Sequence, residues 1–175
     1  MDSEYRIERA APEHLAQLPA IEAAAGRLFL DRGLPESVLA DETSPDEFRE
    51  AQEAGLLWVA LRAEDQPVGF AHVELLDGAA HLEELDVHPD HGRRGVGAAL
   101  VRAVCDWACR AGYAAVTLTT FRGIPWNAPF YERIGFSALD PSQLTPNLTA
   151  VVAEEAARGL GPGQRVVMRI ETGAG

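Results

Sequence analysis

The stretch HPDHGRRGVGAALVRA, residues 88–103, is the feature that most limits how this chain can fold. It packs three glycines and two adjacent arginines into six positions and continues as an apolar run typical of a helix. A strand-like run precedes it, so the stretch predicts a strand, a tight turn and a helix in succession. Backbone N–H groups in such a turn, together with the positive end of the helix, can closely approach an anion. The stretch therefore raises the question of whether the turn holds a phosphate.

Three interpretations of this turn compete. A dinucleotide-binding fingerprint requires the spacing G-x-G-x-x-G in the first strand–helix unit, whereas the glycines here are Gly92, Gly95 and Gly97, and they follow a meander of three strand-like runs. A purely structural turn needs the glycines only for backbone shape. A pyrophosphate cradle would use the amides of residues 93–98, with Arg93 and Arg94 adding positive charge.

Hydrophobic periodicity predicts a mixed α/β chain. Helical spacing and start signals predict helices over 12–26, 44–55, 93–111, 127–135 and 148–158, with a loop or short helix over 27–43. Ser44 and Glu47 are expected to form a capping box at the start of the second helix, and Asn127 is expected to cap the fourth. Alternating or β-branched runs predict strands over 4–10, 56–62, 67–76, 79–87, 113–121 and 163–171. Short turns between the middle strands favour hairpins, and the glycine turn begins a strand–helix–strand crossover. The fold class is therefore α/β (α+β), with a mixed, mostly antiparallel central sheet.

Length and charge exclude several classes of function. A chain of 175 residues is most simply a single domain over 1–175, and its apolar runs are too short to cross a bilayer. The N-terminus lacks the pattern of a signal peptide, which predicts a cytoplasmic protein with no membrane partner. A net charge of −12 argues against a nucleic-acid partner and, together with Glu22, Glu83 and Glu84, favours a cationic small molecule.

Two motifs in order resemble the GNAT superfamily of acetyl-CoA-dependent N-acetyltransferases. The motifs are LEELDVHPDHGRRGVGAALV and, after the next strand, NAPFYERIGF, and the resemblance covers about residues 55–138. GRRGVG matches the superfamily turn Q/R-x-x-G-x-G/A, except that Gly92 stands where Gln or Arg is usual. The resemblance implies the GNAT acyl-CoA N-acyltransferase fold, with helices on both faces of the sheet, and acetyl-CoA as the acetyl donor.

The resemblance also implies which residues contact the cofactor. Backbone groups of Leu85 and Val87 hold the pantetheine arm, Asn127 touches it, and Tyr131 donates a hydrogen bond to the coenzyme A sulfur. The full set of cofactor-binding residues implied in this way is Leu85, Asp86, Val87, Gly92, Arg93, Arg94, Gly95, Val96, Gly97, Ala98, Asn127 and Tyr131.

Acetyl transfer to an amine needs a proton acceptor, and Glu83 and Glu84 are the candidates beside Tyr131 as the third catalytic residue. Strict alternation places Glu83 on one face of its strand and Glu84 on the other, although a bulge would change this parity. Glu83 is the first choice because relatives often carry a carboxylate at the matching position. A solvated or salt-bridged role remains the alternative for either glutamate.

No metal cofactor is expected. His88 and His91 flank a proline turn without a third ligand, and Cys105 and Cys109 lack further ligands at matching spacing. The expected partners are acetyl-CoA and an amine acceptor, and the sequence leaves a homodimer open. The acceptor is expected to be a small cationic amine, with the apolar residues 27–34 closing over it as a lid. Two alternatives remain. The acceptor is a protein or peptide amine, or the chain is a sensor domain that binds acetyl-CoA without catalysis.

Overall fold

The structure is a computed structural model that describes residues 4–161 and 163–173. Within these residues seven strands form one sheet in the order β1-β2-β3-β4-β5-β7-β6. The strands are β1 Arg6–Arg9, β2 Leu57–Arg62, β3 Gln66–Leu76, β4 Ala79–Val87, β5 Ala115–Phe121, β6 Ser137–Ala138 and β7 Arg165–Glu171. The helices are α1 Leu18–Gly26, α2 Glu36–Leu39, α3 Pro45–Glu53, α4 Val96–Arg110, α5 Ala128–Arg133 and α6 Pro146–Ala157. The domain expected over 1–175 includes residues 1–3, 162, 174 and 175, which lie outside the described residues.

The sheet is mixed, as the sequence predicts. The pairs β1–β2, β2–β3, β5–β7 and β6–β7 are antiparallel. β4 and β5 are parallel, and Ala80–Leu82 pair with Val116–Leu118. A parallel pair needs a crossover connection, and α4 supplies it. The α+β class and the mostly antiparallel character are therefore confirmed.

Most predicted elements are present, with three corrections. Residues Pro12–Gln17 form a 3-10 helix before α1, so the helix expected from Pro12 begins six residues later. The helix expected from Arg93 begins at Val96, because Arg93 and Gly95 have left-handed backbone angles. The two-residue strand β6 is too short for a periodic pattern to predict.

The chain divides into two compact units. The first contains the residues up to Glu74 together with Glu83–Val104. Its core joins α1, α3, β2 and β3, and the rings of Phe48 and Phe70 pack edge to face with centroids 5.3 Å apart. Ser44 begins α3 with the predicted capping box, since its hydroxyl accepts the Glu47 N–H at 3.2 Å and Glu47 accepts the Ser44 N–H at 2.7 Å.

The second unit contains Leu75–Leu82 and the residues from Cys105 onward. Its buried side chains come mainly from β5, β7, α5 and α6. A buried polar group lies among them, in which Arg165 donates to Glu155 and to Thr119, each at 2.8 Å. Of the helices in the described ranges, none is both long and apolar enough for a membrane span.

Gly69 of β3 is packed directly against the β4 backbone. A Cβ at this position would lie 2.8 Å from the Asp86 carbonyl oxygen and 3.2 Å from Cγ2 of Val87. Only glycine allows β3 to approach β4 this closely where Asp86 lies.

We expect Gly69→Ala to destabilise the protein by about 1 to 3 kcal/mol, because the added methyl group must displace β4 backbone. Urea or thermal unfolding measures the change. Gly26→Ala is the matched control, since Gly26 has φ −58° and open space around the position of a Cβ. The control should be neutral or stabilising by about 0.5 to 1 kcal/mol, and equal destabilisation by both substitutions would contradict the close-approach argument.

Candidate active site

The turn between β4 and α4 has the geometry of an anion cradle. Arg93 has φ +57° and Gly95 has φ +80°, so the backbone reverses sharply before α4 starts. The intrahelical bonds begin with the Ala99 N–H, which donates to the Gly95 carbonyl at 2.9 Å. The N–H groups of residues 96–98 precede this bond and so have no acceptor within the helix. They lie at the positive end of a 15-residue helix, where an anion is stabilised.

Arg93 and Arg94 are both exposed, but their surroundings differ. Arg94 Nη1 donates to Glu4 Oε1 at 3.2 Å and to the Tyr5 hydroxyl oxygen at 3.3 Å. The Tyr5 hydroxyl in turn lies 2.9 Å from His91 Nδ1. The N-terminal segment thus contacts the glycine turn, a contact that no local sequence pattern predicts.

Glu84 and Asp86 of β4 are hydrogen-bonded to each other through their side chains. Both are half-buried, and their positions two residues apart confirm that they share a face of the strand. Burial raises the pKa of the Asp86 carboxyl well above its ordinary value, and the nearby Glu84 and Glu22 carboxylates raise it further. Two carboxyl groups at hydrogen-bond distance do not both ionise readily, so this pair tends to retain a proton.

Glu22 of α1 is held by Thr43. Its Oε1 accepts the Thr43 N–H and the Thr43 hydroxyl, each at 2.9 Å. Burial raises the pKa of the Glu22 carboxyl, and the nearby Asp41 and Glu42 add to this effect, whereas the bonds from Thr43 oppose it. The hydrogen bonds between Glu22 and Thr43 therefore join the two ends of the segment 23–42.

Glu83, the first choice for a proton acceptor in the sequence, is exposed. The acidic cluster of this unit instead comprises Glu22, Glu84 and Asp86. Alternation along β4 predicts the pairing of Glu84 with Asp86. The contribution of Glu22 comes from a helix more than sixty residues away in sequence, so no pattern in β4 predicts it.

Asn127 and Tyr131 belong to the second unit and lie at the start and within α5. Tyr131 is buried, and its ring packs edge to face with Phe130 and Phe136 at centroid distances of 5.0 and 5.6 Å. Asn127 occupies the N-cap position without a side-chain cap bond, so the prediction that its side chain caps this helix is wrong. Its Oδ1 is buried and has no hydrogen-bond partner among the described residues.

The interpretation of His88 and His91 as metal ligands finds no third ligand among the described residues. Across the described ranges, no three His, Cys, Asp or Glu side chains are grouped so that they could hold a metal ion. The His88 Nδ1 instead accepts the Asp90 N–H at 3.3 Å. This bond and the Tyr5 contact of His91 account for both imidazoles as parts of the turn.

A comparison with protein families matches the turn and its surroundings. The family model described as "Acetyltransferase (GNAT) family" matches residues 25–136, more than half of the chain. The match includes β4, the glycine turn, α4, β5 and α5.

Solved structures with the same fold include acetyltransferases that act on different acceptors. The PaiA N-acetyltransferase of Thermoplasma acidophilum, in complex with coenzyme A, superposes with a TM-score of 0.74 at 16% identity, over 97% of this chain and 99% of that one. The ribosomal-protein-S18-alanine N-acetyltransferase of Escherichia coli has a TM-score of 0.67 at 19% identity, over 96% and 94%. The N-acetylglutamate synthase of Neisseria gonorrhoeae, complexed with coenzyme A and N-acetyl-glutamate, has a TM-score of 0.67 at 16% identity, over 98% of this chain and 36% of that one.

The raised pKa of Asp86 has a consequence for stability. The folded protein holds this proton more tightly than the unfolded chain does, so stability falls as the pH rises from about 3.8 through the raised pKa. We expect Asp86→Asn to raise the melting temperature at pH 8, by about 2 to 4 °C for each kcal/mol gained, and the gain to shrink toward pH 4. Thermal unfolding of both proteins across this range measures it.

Asp31→Asn removes the same charge at an exposed position and serves as the control. Its melting temperature should follow the wild type at every pH. A gain for Asp86→Asn that is equally large at pH 4 and pH 8 would contradict the assigned ionisation.

Proposed function

Since the chain belongs to the Acetyltransferase (GNAT) family, we propose that it transfers the acetyl group of acetyl-CoA to a primary amine of a small cationic molecule, by direct attack in a ternary complex. Acetyl-CoA is the donor in this family, and two of the structural neighbours described above contain coenzyme A. The observation that carries the choice of acceptor is the cluster of Glu22, Glu84 and Asp86.

The residues present fit coenzyme A. The amides of residues 96–98 and the guanidinium groups of Arg93 and Arg94 suit a pyrophosphate, because they combine N–H donors with positive charge. The buried Asn127 Oδ1 has no donor among the described residues, and the amide N–H groups of a pantetheine arm would supply one. Leu85 and Val87 are proposed to contact a pantetheine arm through their backbone, with the Val87 N–H also able to stabilise an oxyanion.

The acceptor must lose a proton before it can attack the thioester. An amine with a pKa of about 10.4 is neutral in only about one molecule in 2,500 at pH 7. We assign proton acceptance to the Glu84–Asp86 pair rather than to the exposed Glu83. When Asp86 is ionised, its raised pKa is closer to the pKa of the amine, so proton transfer to it is less unfavourable than transfer to an ordinary carboxylate.

Charge favours a cationic acceptor. The three carboxyl groups of the cluster come from α1 and β4, and Asp41 and Glu42 lie near Glu22. Acidic groups this close together repel one another, and a bound ammonium group reduces this repulsion. The same acidic groups would repel an anionic acceptor.

The size of the acceptor is argued from residues 23–42. Leu28 and Leu30 are 46% and 61% exposed, although they are large apolar side chains. The hydrogen bonds between Glu22 and Thr43 fix both ends of the segment that carries these two leucines. A segment fixed at its ends can close over a small ligand and exclude a protein, which favours a small acceptor.

Tyr131 is proposed to assist the departing thiolate of coenzyme A. A tyrosine side chain in water has a pKa of about 10 and a thiol one of about 8.5, so complete proton transfer between the two is uphill by about 2 kcal/mol. A hydrogen bond that strengthens as charge develops on sulfur suits this residue better than full proton donation.

The single domain over 1–175, the cytoplasmic location and the homodimer stay predictions.

We expect Tyr131→Phe to lower turnover by about 10- to 1,000-fold with little change in the affinity for acetyl-CoA, because only the hydroxyl is lost. Calorimetry with acetyl-CoA measures the affinity, and release of the coenzyme A thiol measures turnover. Tyr113→Phe removes a hydroxyl from a ring that packs against Trp107 and should change neither quantity.

Each result decides between functions. Absence of binding at millimolar acetyl-CoA in the wild type would overturn the proposed donor. Binding without turnover on any amine would favour the sensor function. Equal rates for wild type and Tyr131→Phe would leave Tyr131 with a packing role only.

A panel of amines tests the acceptor. Polyamines, aminoglycosides, cationic amino-acid derivatives, neutral and anionic amines and peptides are compared by thiol release, and we expect turnover with small cationic amines. Glu22→Gln should raise the KM for the active amine by about 3- to 30-fold, because it weakens the negative field, while the KM for acetyl-CoA stays constant.

Glu13→Gln, a charge change at an exposed position in the 3-10 turn before α1, is the control and should leave both KM values unchanged. Turnover confined to neutral or anionic acceptors would overturn the charge argument. Turnover confined to protein N-termini or lysines would overturn the argument from residues 23–42.

A further inference from the structure

A chain of hydrogen bonds connects the N-terminal segment to the glycine turn. Arg94 donates to Tyr5 at 3.3 Å, and the Tyr5 hydroxyl lies 2.9 Å from His91 Nδ1. The two rings of Tyr5 and His91 also meet edge to face, with centroids 5.7 Å apart. Glu4 completes the group through its ion pair with Arg94.

The direction of this chain follows from the donors available. A guanidinium has N–H donors and no acceptor, so the Tyr5 oxygen must accept from Arg94. The Tyr5 proton is then free to donate to His91 Nδ1, which requires a neutral imidazole with its proton on Nε2. A lowered pKa of His91, caused by partial burial and by the nearby Arg62 and Arg94, agrees with a neutral ring. The Tyr5 hydroxyl therefore accepts one hydrogen bond and donates another, so it is fixed between two residues of the turn.

An arginine side chain loses considerable rotamer freedom when it binds a phosphate. A partner that already holds the guanidinium in the free protein reduces this loss. Tyr5 is such a partner, since its hydroxyl is fixed on the other side by His91. Glu4 neutralises the same guanidinium in the free protein, and a phosphate can take its place.

We propose that Tyr5 is a positioning residue for cofactor binding, which holds Arg94 beside the glycine turn ready to contact a phosphate of coenzyme A. The proposal rests on the proposed function, in which the turn binds the pyrophosphate. Tyr5 acts through Arg94 and has no contact of its own with the cofactor. It lies 89 residues from Arg94 in sequence and outside the two motifs that carry the family resemblance.

Calorimetric titration with coenzyme A tests the proposal on the whole protein. We expect Tyr5→Phe to weaken binding by about 3- to 10-fold and Arg94→Gln by about 5- to 30-fold at low salt. The double variant should bind as weakly as Arg94→Gln alone, because Tyr5 has nothing left to position. The loss caused by Tyr5→Phe should also shrink as the salt concentration rises, since it acts through a charge–charge contact.

Tyr113→Phe serves again as the control for the loss of a tyrosine hydroxyl and should bind coenzyme A like the wild type. Unchanged affinity in Tyr5→Phe overturns the proposal. So does an equal loss from Tyr5→Phe with and without Arg94, since Tyr5 would then support the fold generally. Absence of binding by the wild type instead overturns the proposed function, so the two failures are distinguishable.

Discussion

The backbone between β4 and α4 enters the left-handed region at Arg93 and again at Gly95, and the proposed cofactor-binding part of the site depends on this turn. Glycine adopts such angles without cost, whereas a side chain at Arg93 is strained there. The strain is tolerated because β4 and the 3-10 turn Pro89–His91 fix one end of the segment and α4 fixes the other. As a result the first N–H groups of α4 lie free of helical partners, and Arg94 is directed toward Glu4 and Tyr5.

β4 imposes a second constraint, which is the partial burial of acidic side chains. β4 approaches β3 closely at Gly69, and it places Glu84 and Asp86 on one partly buried face. Burial of two hydrogen-bonded carboxyl groups near a third costs stability at neutral pH. Groups that reduce stability in this way are common at functional sites, where their raised pKa is useful for proton transfer.

Local patterns predicted the parts of this protein that local physics determines. Alternation predicted the middle strands, the Ser44 capping box was confirmed, and the glycine turn with its two flanking motifs identified the family. Asn127 shows the limit, because an asparagine before a helix predicts a cap, yet its Oδ1 is buried with no hydrogen-bond partner in the described part of the chain. Tyr5 shows another, since its contact with Arg94 joins residues that only the tertiary fold brings together.

The fold does not determine the acceptor, since an alanine N-acetyltransferase of a ribosomal protein and an N-acetylglutamate synthase share it. In this chain the proposed choice depends on Glu22, Glu84 and Asp86, which lie outside the glycine turn. An ammonium group beside Asp86 stabilises its ionised form, so acceptor binding lowers the pKa that burial raises. Linkage then requires that binding of the cation and loss of the Asp86 proton favour each other. In the proposed mechanism a cationic acceptor therefore favours the ionised carboxylate that can take its proton, whereas a neutral amine needs no proton acceptor before attack and does not shift this equilibrium.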